Sequence, residues 1–152
     1  MPLDIVGPRA RLTSIAQETG VFGNVLGHEP VSGPGSGLTY AVWLADTTPS
    51  PQNSGLASTS ARVVFNGRLY LPADTEPMDD VDVTLAAAVD KLFVAYSADF
   101  TLGSTVRNLD LLGADGEAMA VKYRYLQLDS VLYRTAHLTL PMIVNDVWAQ
   151  GA

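Results

Sequence analysis

A chain of 152 residues, 47% apolar and carrying a net charge of −7, reads as one globular domain with an acidic surface. Folding at this size hides about 70% of the unfolded chain's surface, enough for an independent core. With no cysteine the chain can form no disulfide, Cys-based metal site or Cys nucleophile, and its two lysines and seven arginines form no cluster of the kind that drives phosphate binding.

No apolar run of about 18 residues indicates a membrane span. The start, MPLDIVGPRAR, lacks a charged region followed by an apolar stretch, so no signal peptide is expected. The segment 8–19 (PRARLTSIAQET) predicts a short helix. Pro8 suits its first turn, Leu12, Ile15 and Ala16 keep helical spacing, and Gly20 is placed to end it. Residues 23–37 (GNVLGHEPVSGPGSG) read as a connector whose glycines and prolines oppose regular structure.

Residues 38–46 (LTYAVWLAD) predict the first strand. Tyr40, Val42 and Leu44 fall on one side and Ala41, Trp43 and Ala45 on the other, so cover on both faces is expected. A polar, Pro/Gly/Ser-rich loop follows at 47–59, then a second strand at 60–72. The pair reads as a hairpin whose tip, about 13 residues long, is either functional or disordered. Ala61, Val63, Phe65, Leu69 and Leu71 share the apolar face of the second strand. Arg62, Asn66, Arg68 and Tyr70 share the other, and Gly67 allows a bulge or a close approach.

The strongest helix signal lies in 79–97. Val81, Leu85, Ala88, Val89, Leu92 and Tyr96 make a buried stripe, widened by Phe93. Asp79, Asp80 and Asp82 crowd its first turns, where carboxylates complement the helix macrodipole. Three strands are expected at 105–112, 118–128 and 131–140, joined by turns at 113–116 and at Asp129-Ser130, with Pro141 ending the last. The order α-β-β-α-β-β-β predicts an α+β fold: a mostly antiparallel sheet of about five strands with the main helix on one face. Residues 142–152 are left as an apolar tail carrying Ile143, Val144, Val147 and Trp148. An aromatic side chain of this kind hides about 150–250 Å² when buried. The tail is therefore expected to dock, either on its own domain or on another chain; if on another chain, its deletion is expected to leave the monomer folded, and failure to fold would place the tail in its own core.

Candidate chemistry is sparse. His28-Glu29 has Ser32, not a second histidine, four residues on, so the helical zinc pattern is missing. The glycines of 33–37 are followed by a strand, not by the helix of a phosphate cradle. Asp79, Asp80 and Asp82 do not converge on one cation. No G-x-S-x-G elbow occurs.

The stretches YSADFTLGSTVRNLDLLGADG and TLPMIVNDVWAQ, together with GHEPVSGPGSGLTYAVWLAD, resemble tail terminator proteins of long-tailed actinobacterial phages. The similarity runs over about 22–149. The resemblance implies an α+β virion subunit, assembled in the host cytoplasm, that caps the tail tube as a hexameric ring at its head-proximal end. Such a ring meets the tail tube protein on one side and a head-side neck or stopper protein on the other. Genomic DNA passes through without specific binding, and no catalysis, cofactor, metal or membrane is implied. On this view the 47–59 loop, with Pro49, Pro51 and Leu56, and the tail, with Ile143, Val144, Val147 and Trp148, are interface candidates. Asp46, Asp79, Asp80 and Asp82 are candidates for a lumen wall that avoids gripping DNA. The alternatives are another neck component, a small enzyme or ligand-binding domain, and a DNA-binding regulator. Scarce histidine opposes the enzyme, and the acidic balance opposes the regulator.

Overall fold

A computed structural model describes residues 3–150. The fold is α+β, with two helices and a mixed six-stranded sheet. Helix α1 spans Val6–Thr19, starting two residues before the expected boundary. Gly20, at φ 73°, closes it in the left-handed conformation. Strand β1, Asn24–Leu26, follows within the segment expected to be irregular. It pairs parallel to β2, Thr39–Ser50. Strand β3, Ser58–Pro72, is antiparallel to β2. Helix α2, Val81–Ala98, leads to the two-residue β4, Asn108–Leu109, and then to β5, Ala120–Leu128, and β6, Val131–Ala149.

Long β6 is central. One side pairs antiparallel with β3 from Tyr133 to Ala149. The other side takes β5 along 131–139 and β4 at Met142 and Ile143. The expected strand at 105–112 thus shrinks to two residues and does not pair with β5. Left-handed Leu102, Gly103 and Ser104 interrupt the chain before it, and the Asp110 carboxylate turns the chain after it by accepting the N–H groups of Ala114 and Asp115. The Asp129-Ser130 turn is as expected. Both residues have positive φ, the primed geometry that matches strand twist.

Both helices cover one face of the sheet. The stripe Val81, Leu85, Ala88, Val89, Leu92 and Tyr96 is buried against Ala61, Val63, Phe65, Leu69 and Leu71, with Leu12, Ile15 and Ala16 of α1. A chain of buried polar contacts runs through this apolar layer. The Tyr96 hydroxyl donates to the Leu12 carbonyl (3.0 Å) and pairs with the Tyr40 hydroxyl (2.9 Å), which joins both helices to β2. Burial pushes both phenols well above their ordinary range, so they stay neutral donors and acceptors. On the other face, the loop after β1 covers only one end. There Ala41, Tyr70 and Tyr133 are buried, while the Gly33 and Gly35 N–H groups donate to Asp129 and to the Tyr133 hydroxyl. Cover on both faces therefore holds for residues 39–42 of β2 and fails from Leu44 onward.

Gly67 permits the close approach expected of it. A Cβ there would lie 2.6 Å from the Tyr40 hydroxyl oxygen and 2.9 Å from its ring. Tyr40 is held by Tyr96 and stacks on Phe22, with 5.3 Å between ring centroids, so it has little room to yield. Gly67→Ala is expected to lower stability by about 1–3 kcal/mol, as overpacking of a filled core does. Urea unfolding checks this, and an unchanged midpoint would mean that the Tyr40 ring moves aside freely.

Candidate functional site

The expected loop and tail turn out to be one structure, a three-stranded end of the sheet. β2 continues through Pro49 to Ser50, and β3 begins at Ser58. The expected 47–59 loop therefore contracts to residues 51–57, including a short 3₁₀ turn at Pro51–Asn53. Pro141 does not end β6. Its carbonyl accepts the Asp110 N–H, so its imide nitrogen faces the same outer side, in the gap between β4 and β5. No ladder bond to β3 is lost there, which is the edge-like position a strand proline tolerates. The tail then pairs with β3 as Ile143 with Arg62, Val144 with Ala61 and Trp148 with Thr59.

This arrangement corrects part of the expected interface. Ile143 and Val147 are buried in the protein's own sheet and are not available to a partner, and Val144 is half-buried. Pro49 and Pro51 are exposed, Leu56 is fully exposed at 100%, and Trp148 is 39% exposed. On β2, Leu44, Ala45, Asp46, Thr48 and Pro49 are exposed and Thr47 is half-buried, so that strand is largely bare from Leu44 up to buried Ser50. We call this end the arm.

Short hydrogen bonds fasten the tip of the arm. Asn53 donates to the Ser50 hydroxyl (2.8 Å), Ser54 to the Ser50 carbonyl (2.6 Å) and Ser60 to the Asn53 carbonyl (2.7 Å). Ser58 donates to Asp146 (2.6 Å), and the Gln150 amide donates to the Gly55 carbonyl (2.9 Å). Arg107 reaches Asn53 from the β4 side. Opposite Ser60, three β6 residues, 145–147, replace one, with Asp146 at φ 53°. Such a bulge bends a strand and re-aims its side chains. Leu56 is thus an apolar knob on an ordered mount.

Behind the arm, Arg62 donates to the Asp115 and Glu117 carbonyls and lies 3.7 Å from buried Asp110. This pins the 110–118 segment over the sheet.

The acidic candidates sit at two levels. Asp46 lies on the arm opposite Val64. Asp79 and Asp80 stand exposed at the start of α2, beyond Pro72, which is about 27 Å further along β3 at a rise of roughly 3.4 Å per residue. Asp82 is ion-paired with Arg134 at 2.8 Å, and that bond is the first cause of the raised Arg134 pKa. The four do not form one patch.

The sheet face away from the helices holds a group that reading along the chain missed. Strand register puts Arg68, His137 and Lys122 in one row and Tyr70, Thr135 and Arg124 in the next. The Arg68 guanidinium sits 4.9 Å from the Trp43 ring centroid and donates to Glu29 (3.3 Å). His137 has its pKa lowered, first by burial and then by Arg68 and Arg124. The available signal was the i, i+2 spacing of Lys122 and Arg124 on one strand. Among the described residues no group of three His, Asp or Glu side chains is placed to hold a metal ion, and no helix is long and apolar enough to cross a membrane. No protein-family model matches the chain, and no curated protein matches it.

The tail's burial places it in its own core and decides the outcome of its deletion. Removing 142–152 takes away Met142, Ile143 and Val147, each worth about 1.5–3 kcal/mol when buried. Their sum rivals the roughly 5–15 kcal/mol that holds a typical domain together. The truncated chain is expected to lose its cooperative thermal transition, whereas Gln150→Ala keeps it. A truncated chain with a sharp, unshifted transition would refute the pairing of the tail with β3.

Proposed function

We propose that this chain is a structural subunit that caps a phage tail tube as a ring, ends tube polymerisation and forms the tail side of the head–tail junction. The resemblance over about 22–149 is what suggests the family. The observation that carries the assembly role is the arm, an ordered three-stranded end that presents Leu56, Pro49, Pro51 and Trp148 to solvent. An apolar side chain on a fixed mount docks with little ordering cost, so more of its burial energy appears as affinity. Leu56 alone offers about 1.5–3 kcal/mol on full burial. The partners that fit this reading are further copies of the chain, the tail tube protein and a head-side neck protein. DNA passes the finished ring without being gripped.

Electron microscopy of lysates from a phage lacking the gene tests the reading. Overlong tails beside separate DNA-filled heads are expected. Normal-length tails unattached to heads would make the protein a neck connector, and intact infectious particles would sink the structural role. In complementation, Leu56→Asp is expected to give a folded, soluble protein that fails to restore tail length or head joining. Restoration by this variant would remove the arm tip from the interface.

A further inference from the structure

The basic sheet face and the segment joining β3 to α2 are complementary in charge. The face carries Arg68, Arg124 and His137 around a shallow depression also lined by Tyr125, Leu126 and Thr135, with Lys122 paired beside His137 on β5. Glu29 is the acidic neighbour, and it is taken by Arg68. Lys122 and Arg124 are exposed and have no carboxylate partner among the described residues.

Segment 74–80 carries Asp74, Glu76, Asp79 and Asp80, all exposed and all without a basic partner among the described residues. Asp79 and Asp80 stand at the start of α2, where the helix macrodipole accounts for them. It does not account for Asp74 and Glu76, which lie outside the first turn.

One chain cannot bring the two together. The acidic segment begins beside the β5–β6 turn, where Asp74 lines a depression with Ser130, Val131 and Leu132, and ends on the helix side, where Asp79 and Asp82 share a depression with Arg134. Arg134 and Arg124 belong to opposite faces of the sheet, because Arg134 pairs with Tyr125 and Thr135 with Arg124.

We propose that the basic face receives the 74–80 segment of a second copy of the chain. Each copy then offers one face and one segment, and used head-to-tail the contact propagates into a ring if its rotation closes and into a filament if it does not. A closed series is a ring. The contact therefore deepens the capping reading by naming the surfaces that join its subunits, and it rests on that reading only for the ring's purpose. The occupant is another copy because an acidic chain of net charge −7 supplies the complementary segment itself.

Sedimentation of the full chain at low and high salt tests this with two charge-reversed variants. One is Lys122→Glu with Arg124→Glu, and the other is Asp74→Lys with Glu76→Lys. The native chain is expected to self-associate, and less so at high salt, since about 0.1 M salt screens exposed charges beyond roughly 10 Å. Each variant alone is expected to associate roughly ten-fold more weakly or worse. An equal mixture of the two is expected to regain assembly, because each reversed surface meets its reversed complement. Misfolded protein cannot produce that rescue.

A native chain that stays monomeric, variants that assemble like the native chain, or a mixture that gains nothing would each overturn the contact. Retention of the native chain on a phosphate polymer, lost with Lys122→Glu and Arg124→Glu while self-association is unchanged, would give the face to a polyanion instead. These outcomes are independent of tail length in the deletion phage, so the contact and the capping role fail separately.

Discussion

The β3–β6 ladder is the constraint on which the rest of the structure depends. Two strands of 15 and 19 residues pair antiparallel from Pro72 and Tyr133 at one end to Ser58 and Ala149 at the other. β2 attaches along the β3 side, and β5 and β4 attach end to end along the β6 side. The helices then have one broad apolar face to cover. Because the ladder runs past the helix-covered core, the same two strands also build the arm. Core and candidate interface are continuous, and a chain that loses the second half of β6 loses both.

Cohesion between the layers comes mostly from apolar burial, but the Tyr40–Tyr96–Leu12 chain fixes how the layers sit. Each hydroxyl in that chain has a partner, so its burial does not leave an orphaned polar group. Gly67 is the matching concession on β3, since removing a Cβ there lets the Tyr40 ring lie on the backbone. At the edge of this layer Arg11 bonds Asp99, and that bond is the first cause of the lowered Asp99 pKa. The pair is partly exposed and contributes little to stability, so it serves mainly to orient the chain after α2.

Much of this fold was legible in the sequence, and the misses have specific causes. The α2 stripe, the α1 positions and the alternation of β3 each had a period and a packed face beneath them, so pattern and burial agree residue by residue. Thr47, Thr48 and Pro49 carry no alternation, because that part of β2 is largely uncovered and little selects apolar residues there. Pro141 looked like a stop because its effect depends on which way its nitrogen points, and only the neighbouring strands decide that. Reading a stop there turned Ile143 and Val147 into a loose tail. Leu56 and Trp148 survive as candidates because they are exposed, which sequence cannot distinguish from the burial of Val147 one residue away.

The charge pattern is the part least visible from composition. A net charge of −7 describes an acidic protein, yet Arg68, Lys122, Arg124 and His137 meet on one sheet face. They are separated by up to 69 residues in the chain and brought together by register alone. A basic patch on one sheet face and an acidic segment leading into α2 give the molecule two unlike surfaces. Two unlike surfaces favour contact between opposites over pairing of the basic face with itself, which would set like charges against each other. The arm adds a third, apolar surface near the opposite end of β3 from the acidic segment. In the proposed ring, charge would set the order of copies and the apolar tip would meet what the ring sits against, so neither surface would have to serve both contacts.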